Sequence, residues 1–158
     1  MNSHHTVAIG TWEGDKQQSI EYNSSIAVGI DCPRAKLRVS ILLDTIQEYQ
    51  VRYIFSDEEI SEAVNEAGLI IGARGMAYEW VLQRKPVIVV GEYGFGGLVT
   101  PDTLHEQYNN YFRGKINGIK AEYFSLERLE EEIRRGFALT FQELQMMSNQ
   151  TIRFLHNI

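Results

Sequence analysis

Residues Gly68–Pro101 read GLIIGARGMAYEWVLQRKPVIVVGEYGFGGLVTP, and this stretch decides the fold. Leu69, Ile70 and Ile71 make an apolar strand that runs into Gly72-Ala73-Arg74-Gly75. A short helix carrying Glu79 follows, then Lys85-Pro86 and a second apolar strand, Val87 to Val90. That is a β-α-β unit with glycines and an arginine where its first strand meets its helix. In a parallel sheet, the carboxyl edge of the strands is where ligands bind. Backbone N–H groups freed at a helix amino end, together with the positive end of the helix dipole, favour phosphate there. The segment therefore points to a phosphate-bearing small molecule.

The flanking sequence continues the alternation. Thr6–Ile9 and Ile26–Ile30 are strand candidates separated by a polar loop, and Asp31-Cys32-Pro33 stops the second. From Ala35 to Tyr49, Leu37, Ile41, Ile46 and Tyr49 fall near helical spacing, with Leu42 and Leu43 widening the apolar face. Val51–Phe55 is short, β-branched and aromatic, hence a strand. Ser56 and Glu59 spell a capping box, with Phe55 and Ile60 as its hydrophobic staple, and Gly68 stops the helix they open. Gly91–Gly97 holds four glycines in seven residues and reads as a mobile loop. Thr100 as N-cap and Pro101 at the first helical position start another helix. After an irregular stretch, Ser125 caps a helix carrying Leu126, Leu129 and Ile133. A last helix, from Phe137 to about Leu155, turns Phe137, Phe141, Leu144 and Leu155 inward.

Alternating strands and helices imply parallel β-α units joined by right-handed crossovers. The expected architecture is one Rossmann-like α/β domain over residues 1–158, a parallel sheet with helices on both faces. At that length the chain buries roughly two-thirds of its extended surface. A net charge of −6 argues against nucleic acid as a partner, since that footprint is basic. No apolar run approaches the roughly 20 residues needed to span a bilayer, and no signal-peptide pattern is present. The single cysteine, Cys32, has no partner for an internal disulfide, which fits a reducing cytoplasm.

With Glu79 and the later glycines, the motif reads G-x-R-G-x-x-x-E-x-x-x-x-x-x-P-V-I-V-V-G-x-x-G-F-G-G-L-V-T-P. It resembles the donor-binding half of B-type glycosyltransferases, and the resemblance runs over roughly Val51–Phe137. Those enzymes pair two Rossmann-like domains, of which the carboxyl-terminal one holds the nucleotide-sugar. The resemblance implies a nucleoside diphosphate sugar as ligand, with UDP among the candidate nucleotides. Glu79 would hydrogen-bond the ribose hydroxyls, and Gly72, Arg74 and Gly75 would face the diphosphate. Gly94, Phe95, Gly96 and Gly97 would lie along the donor, with Tyr93 and Phe95 covering the sugar or base.

Two departures bear on activity. Retaining members often carry a second glutamate eight positions before the ribose glutamate, and that position here is Ile71. The 158 residues are also not expected to include an acceptor-binding domain. It is expected as a missing amino-terminal half or a separate chain that also supplies any general base, so this chain alone should bind without turnover. The alternative is a non-catalytic nucleotide-binding or sensing module with the same half-fold, and a third reading is a structural domain docking through its last helix.

Other chemistry finds little support. There is no G-x-G-x-x-G or G-x-x-x-x-G-K-[ST] pattern, so no NAD or ATP site of those types is expected. His105, beside Glu106, and His156 lack partners at metal-ligand spacing, so no metal is expected. Cys32 has no histidine arranged to activate it. Glycines can also serve a tight turn, Glu79 can be an exposed helix glutamate, and Arg113 reads as a solvated loop arginine with an anion contact as the other possibility.

Overall fold

The structure, a computed structural model, describes residues 24–115, 118–120 and 123–156. The strand expected over Thr6–Ile9 lies outside them. In chain order the elements are β1 (Ser25–Gly29), α1 (Pro33–Thr45), β2 (Gln50–Tyr53), a 3₁₀ turn (Asp57–Glu59) leading into α2 (Ile60–Glu66), β3 (Leu69–Gly72) and α3 (Arg74–Leu82). They continue with β4 (Val87–Gly91), β5 (Gly94–Leu98), α4 (Leu104–Asn109), α5 (Leu126–Phe137) and α6 (Phe141–His156). The strands form a five-stranded sheet in the order β2-β1-β3-β4-β5. The first four are parallel and β5 is antiparallel to β4.

The direction of winding reverses after β2. The chain passes from β1 outward to β2, then returns across β1 to β3 and continues to β4. Right-handed crossovers then place α1 on one face and α2 and α3 on the other. The two cores follow that division. Ile26, Val28, Leu69, Ile71, Ile88 and Val90 pack with Val39 and Leu42 of α1 and with Leu129 and Ile133 of α5. Ala27, Ile70, Val87 and Val89 face the opposite side, against Ala63, Ala77, Trp80 and Met147. Every residue of β3 and β4 is buried, which is why both read as unbroken apolar runs.

Several local readings change. In α1, Leu37 and Ile41 are exposed, and the buried positions are Ala35, Val39, Leu42 and Leu43. Phe55 is 72% exposed and staples nothing; the Lys36 ammonium sits 4.4 Å from its ring centroid. Glu59 does turn back at the start of its helix, accepting from the Phe55 N–H at 2.7 Å, but the Ser56 side chain makes no cap. The glycines expected in a mobile loop instead include the strand β5. Thr100 and Thr103 hydrogen-bond one another ahead of α4, whose first residue is Leu104. Ser125 caps α5 as expected, accepting from the Arg128 N–H at 3.1 Å. In α6 the buried residues are Met147, Ser148 and Thr151, while Phe141 and Leu155 face outward. No helix among the described residues is long and apolar enough to cross a membrane.

Candidate functional site at the carboxyl ends of the parallel strands

Because winding reverses between β1 and β3, their carboxyl ends diverge into helices on opposite faces and leave a crevice. A pocket of about 160 Å³ lies there. Gly29, Ile30, Asp31 and the half-buried Cys32 come from the end of β1, Ala73 and Arg74 from the end of β3, and Val90, Gly91 and Glu92 from the end of β4.

Two glycines form its floor for a packing reason. Gly29 and Gly72 are register partners in β1 and β3. A Cβ on Gly72 would stand 2.9 Å from Trp80 Cζ3, and one on Gly29 would stand 2.8 Å from Met76 Cε. Bare backbone lets α3 lay its wholly buried tryptophan across the strand ends. Gly72 is thus explained by the fold.

Arg74 opens α3 in a left-handed conformation, with φ +56°. For a non-glycine residue this costs on the order of 1–2 kcal/mol. Its N–H donates to the Phe112 carbonyl at 2.8 Å. Its guanidinium is half-exposed between two carboxylates, with Nη2 3.2 Å from Asp31 Oδ2 and Nη1 3.5 Å from Glu92 Oε1. Ala73 in front of it offers no side-chain cap. The N–H groups of Gly75 and Met76, in the first turn, have no carbonyl one turn back to bond. Gly75 is exposed, and a Cβ there would meet nothing within 4 Å.

Glu79 lies one turn beyond Gly75 on the same exposed strip of α3. Among the described residues, no cation or donor pairs with its carboxylate. Gly72, Arg74, Gly75 and Glu79 are therefore brought together on one strand–helix unit.

The later glycines go elsewhere. Gly96 and Gly97 line a second pocket of about 390 Å³ between β5, α4 and α5. The Gln107 amide donates to the Gly96 carbonyl at 2.8 Å, and Glu132 accepts from the Leu98 N–H at 2.6 Å, so side chains cover the outer edge of β5. Gly94, at φ +112°, fits tightly: its Cβ would stand 2.4 Å from the Ile119 carbonyl oxygen. Phe95, 4% exposed, stacks on Phe124 at 4.6 Å as part of the core, and also lines this second pocket. Tyr93, in the β4–β5 turn, remains near the first pocket through Arg113, whose Nη1 donates to its hydroxyl at 3.3 Å. That hydrogen bond, opposed by desolvation and assisted by the Glu92 charge, raises the Arg113 pKa above its ordinary value.

Asp31 and Glu92 carry no motif, yet each lies within two residues of the end of a parallel strand. The rule that ligands gather at strand carboxyl ends is the signal that finds them. No group of three or more His, Cys, Asp or Glu side chains placed to hold a metal ion occurs among the described residues. The arrangement suits an anion: a guanidinium, an open helix amino end and bare glycine backbone in one crevice. No family model, curated protein or solved structure matches the chain.

Proposed function

We propose that the chain binds the diphosphate of a nucleoside diphosphate sugar in the β1/β3 crevice, as the donor half of a two-domain glycosyltransferase. The observation that carries this reading is Arg74 at the uncapped first turn of α3, beside the point where the sheet reverses its winding. A guanidinium fork there matches phosphate oxygens and stabilises the charge that grows on a departing diphosphate. Glu79, without a partner among the described residues and one turn further on, supports a ribose contact, because one carboxylate accepts from two hydroxyls. The single cysteine supports a reducing, cytoplasmic setting, where a free thiol persists.

One observation favours the non-catalytic alternative. Ile71, at the position of a donor-sugar glutamate in the resembling enzymes, is wholly buried in the sheet, and its apolar side chain has no acceptor for a sugar hydroxyl. A nucleotide-sensing module shares the binding step, and transfer after addition of an acceptor-binding domain separates the two.

Calorimetry with UDP, GDP and their sugars tests the binding step. At least one should bind, and Arg74→Ala should weaken it by roughly 1.5–3 kcal/mol, the range for a hydrogen bond to a charged group. Glu79→Gln should weaken the ribonucleotide more than its 2′-deoxy form, since both changes remove one interaction. If no nucleoside diphosphate binds the folded chain, the reading fails.

A further inference from the structure

A second arginine reaches the carboxylate that holds Arg74. Glu92 stands in the turn between β4 and β5, with Oε1 3.5 Å from Arg74 Nη1 and Oε2 3.9 Å from Arg113 Nε. One carboxylate thus spans two guanidiniums, one oxygen to each. Arg113 is a partly exposed loop residue whose guanidinium is packed against two tyrosine rings. Its guanidinium carbon lies 5.9 Å from the Tyr93 ring centroid and 5.4 Å from that of Tyr111. Its Nε is buried without a hydrogen-bond partner, since 3.9 Å is too long for one. A buried donor left unmade is costly and calls for an acceptor that reaches further than Glu92 does.

The backbone that presents Arg113 is strained, and the strain is tied to Arg74. Four non-glycine residues among those described have left-handed φ: Arg74, Arg84, Tyr111 and Phe112. Three of them meet here, because the Arg74 N–H donates to the Phe112 carbonyl. The next carbonyl, that of Arg113, accepts from the Tyr93 N–H at 2.8 Å, which fixes this loop against the Glu92 turn. Strain of this kind persists where the surroundings over-determine it, and it gathers at ligand-binding sites.

We propose that Arg74 and Arg113 together form a two-guanidinium cradle for a diphosphate, and that the Glu92 carboxylate occupies the anion's place until the ligand displaces it. This deepens the nucleotide-sugar reading and rests on it for the ligand class. Asp31 holds Arg74 through Nη2 and leaves Nη1 to turn from Glu92 to phosphate. Both of Glu92's pairs are partly exposed, so they contribute little and yield readily to a more highly charged anion. A diphosphate has the reach and the number of acceptor oxygens to serve both guanidiniums, including the orphaned Nε of Arg113.

Inorganic pyrophosphate, titrated calorimetrically into the full chain, is the direct probe. Glu92→Gln keeps the side-chain shape and removes the competing charge; it should bind pyrophosphate at least about threefold tighter than wild type. Arg113→Ala should bind it about tenfold or more weaker. If Arg113→Ala fails to fold, Arg113→Lys, which keeps the charge and loses the fork, is judged by the same loss of affinity. Unchanged affinity in Glu92→Gln, or in a folded Arg113 variant, overturns the cradle. UDP or GDP binding with no gain in Glu92→Gln overturns the cradle and leaves the nucleotide reading in place. Pyrophosphate binding that responds to both positions, with no nucleoside diphosphate bound, keeps the cradle and ends the nucleotide reading.

Discussion

Replacing Gly75 with alanine separates a glycine kept for the fold from one kept for a ligand. Gly75 is the second residue of α3, and its φ is not among the left-handed glycines. A methyl group there would meet nothing within 4 Å, so the folded state accepts it without strain. Alanine also narrows the unfolded ensemble and suits a helix better, by roughly 0.5–1 kcal/mol. For a chain of this size, a gain of that order raises the melting temperature by roughly 1–4 °C. Binding should move the other way. The same methyl stands beside the open N–H groups of the first turn, and losing one hydrogen bond to a charged phosphate costs roughly 1.5–3 kcal/mol. That is on the order of a ten- to hundredfold loss in affinity.

The two readouts come from one preparation, thermal melting by circular dichroism and calorimetric titration with pyrophosphate and UDP. A more stable protein that binds less well is the expected pair of results. A more stable protein with unchanged affinity would refute the placement of phosphate at the amino end of α3. A less stable protein would refute the claim that the fold has no use for glycine at this position.

Two further outcomes follow from the structure. Glu132 is buried, accepts from the Leu98 N–H at 2.6 Å and pairs with Arg128 and Arg135 at 3.4 and 3.0 Å. Glu132→Ala leaves the buried Leu98 N–H without its acceptor, while the two half-exposed arginines turn to water. Urea unfolding should therefore show a loss of roughly 1–3 kcal/mol; a loss below about 0.5 kcal/mol would mean the edge of β5 does not depend on this carboxylate. Burial lowers the Lys85 pKa below its ordinary 10.5, while the ammonium donates to the Ala67 carbonyl at 2.7 Å. The unfolded chain then holds this proton to higher pH than the folded chain, so the penalty is complete below the lowered pKa and is relieved as pH rises towards 10.5. The stability of wild type minus that of Lys85→Met should therefore climb with pH across this window, and a flat or falling difference would contradict the burial.

How much of this was legible in the sequence depends on the reach of the interactions involved. β3 and β4 are buried on both faces, so their apolar runs announced them without knowledge of their neighbours. The Gly72–Gly75 turn was legible because a strand-to-helix junction is local chemistry. The buried face of α1 was not. Leu37 and Ile41 have helical spacing, but so do Ala35, Val39, Leu42 and Leu43, and only contact with the sheet decides which set is covered. The strand β5 was hidden for a related reason. Glycine disfavours strands, and GFGGL forms one because β4 pairs with it while Gln107, on the next helix, and Glu132, on α5, satisfy its outer edge.

The site divides in the same way. Gly72 and Gly75 look equivalent in the motif, yet their reasons are opposite. A Cβ at Gly72 would collide with Trp80, so packing alone requires glycine there, and its presence says little about a ligand. A Cβ at Gly75 would meet nothing within 4 Å among the described residues, so their packing does not require glycine there. Arg74 combines both kinds of constraint. Its left-handed backbone is held by Phe112, a residue that no local pattern connects to it, while among the described residues its guanidinium is held by the exposed Asp31 and the half-exposed Glu92. In the proposed cradle this combination is what lets Arg74 keep Asp31 on Nη2 while Nη1 exchanges Glu92 for an anion from solution. In the proposed diphosphate site, the weight of the motif therefore rests on Arg74 and Gly75 more than on the glycine before them.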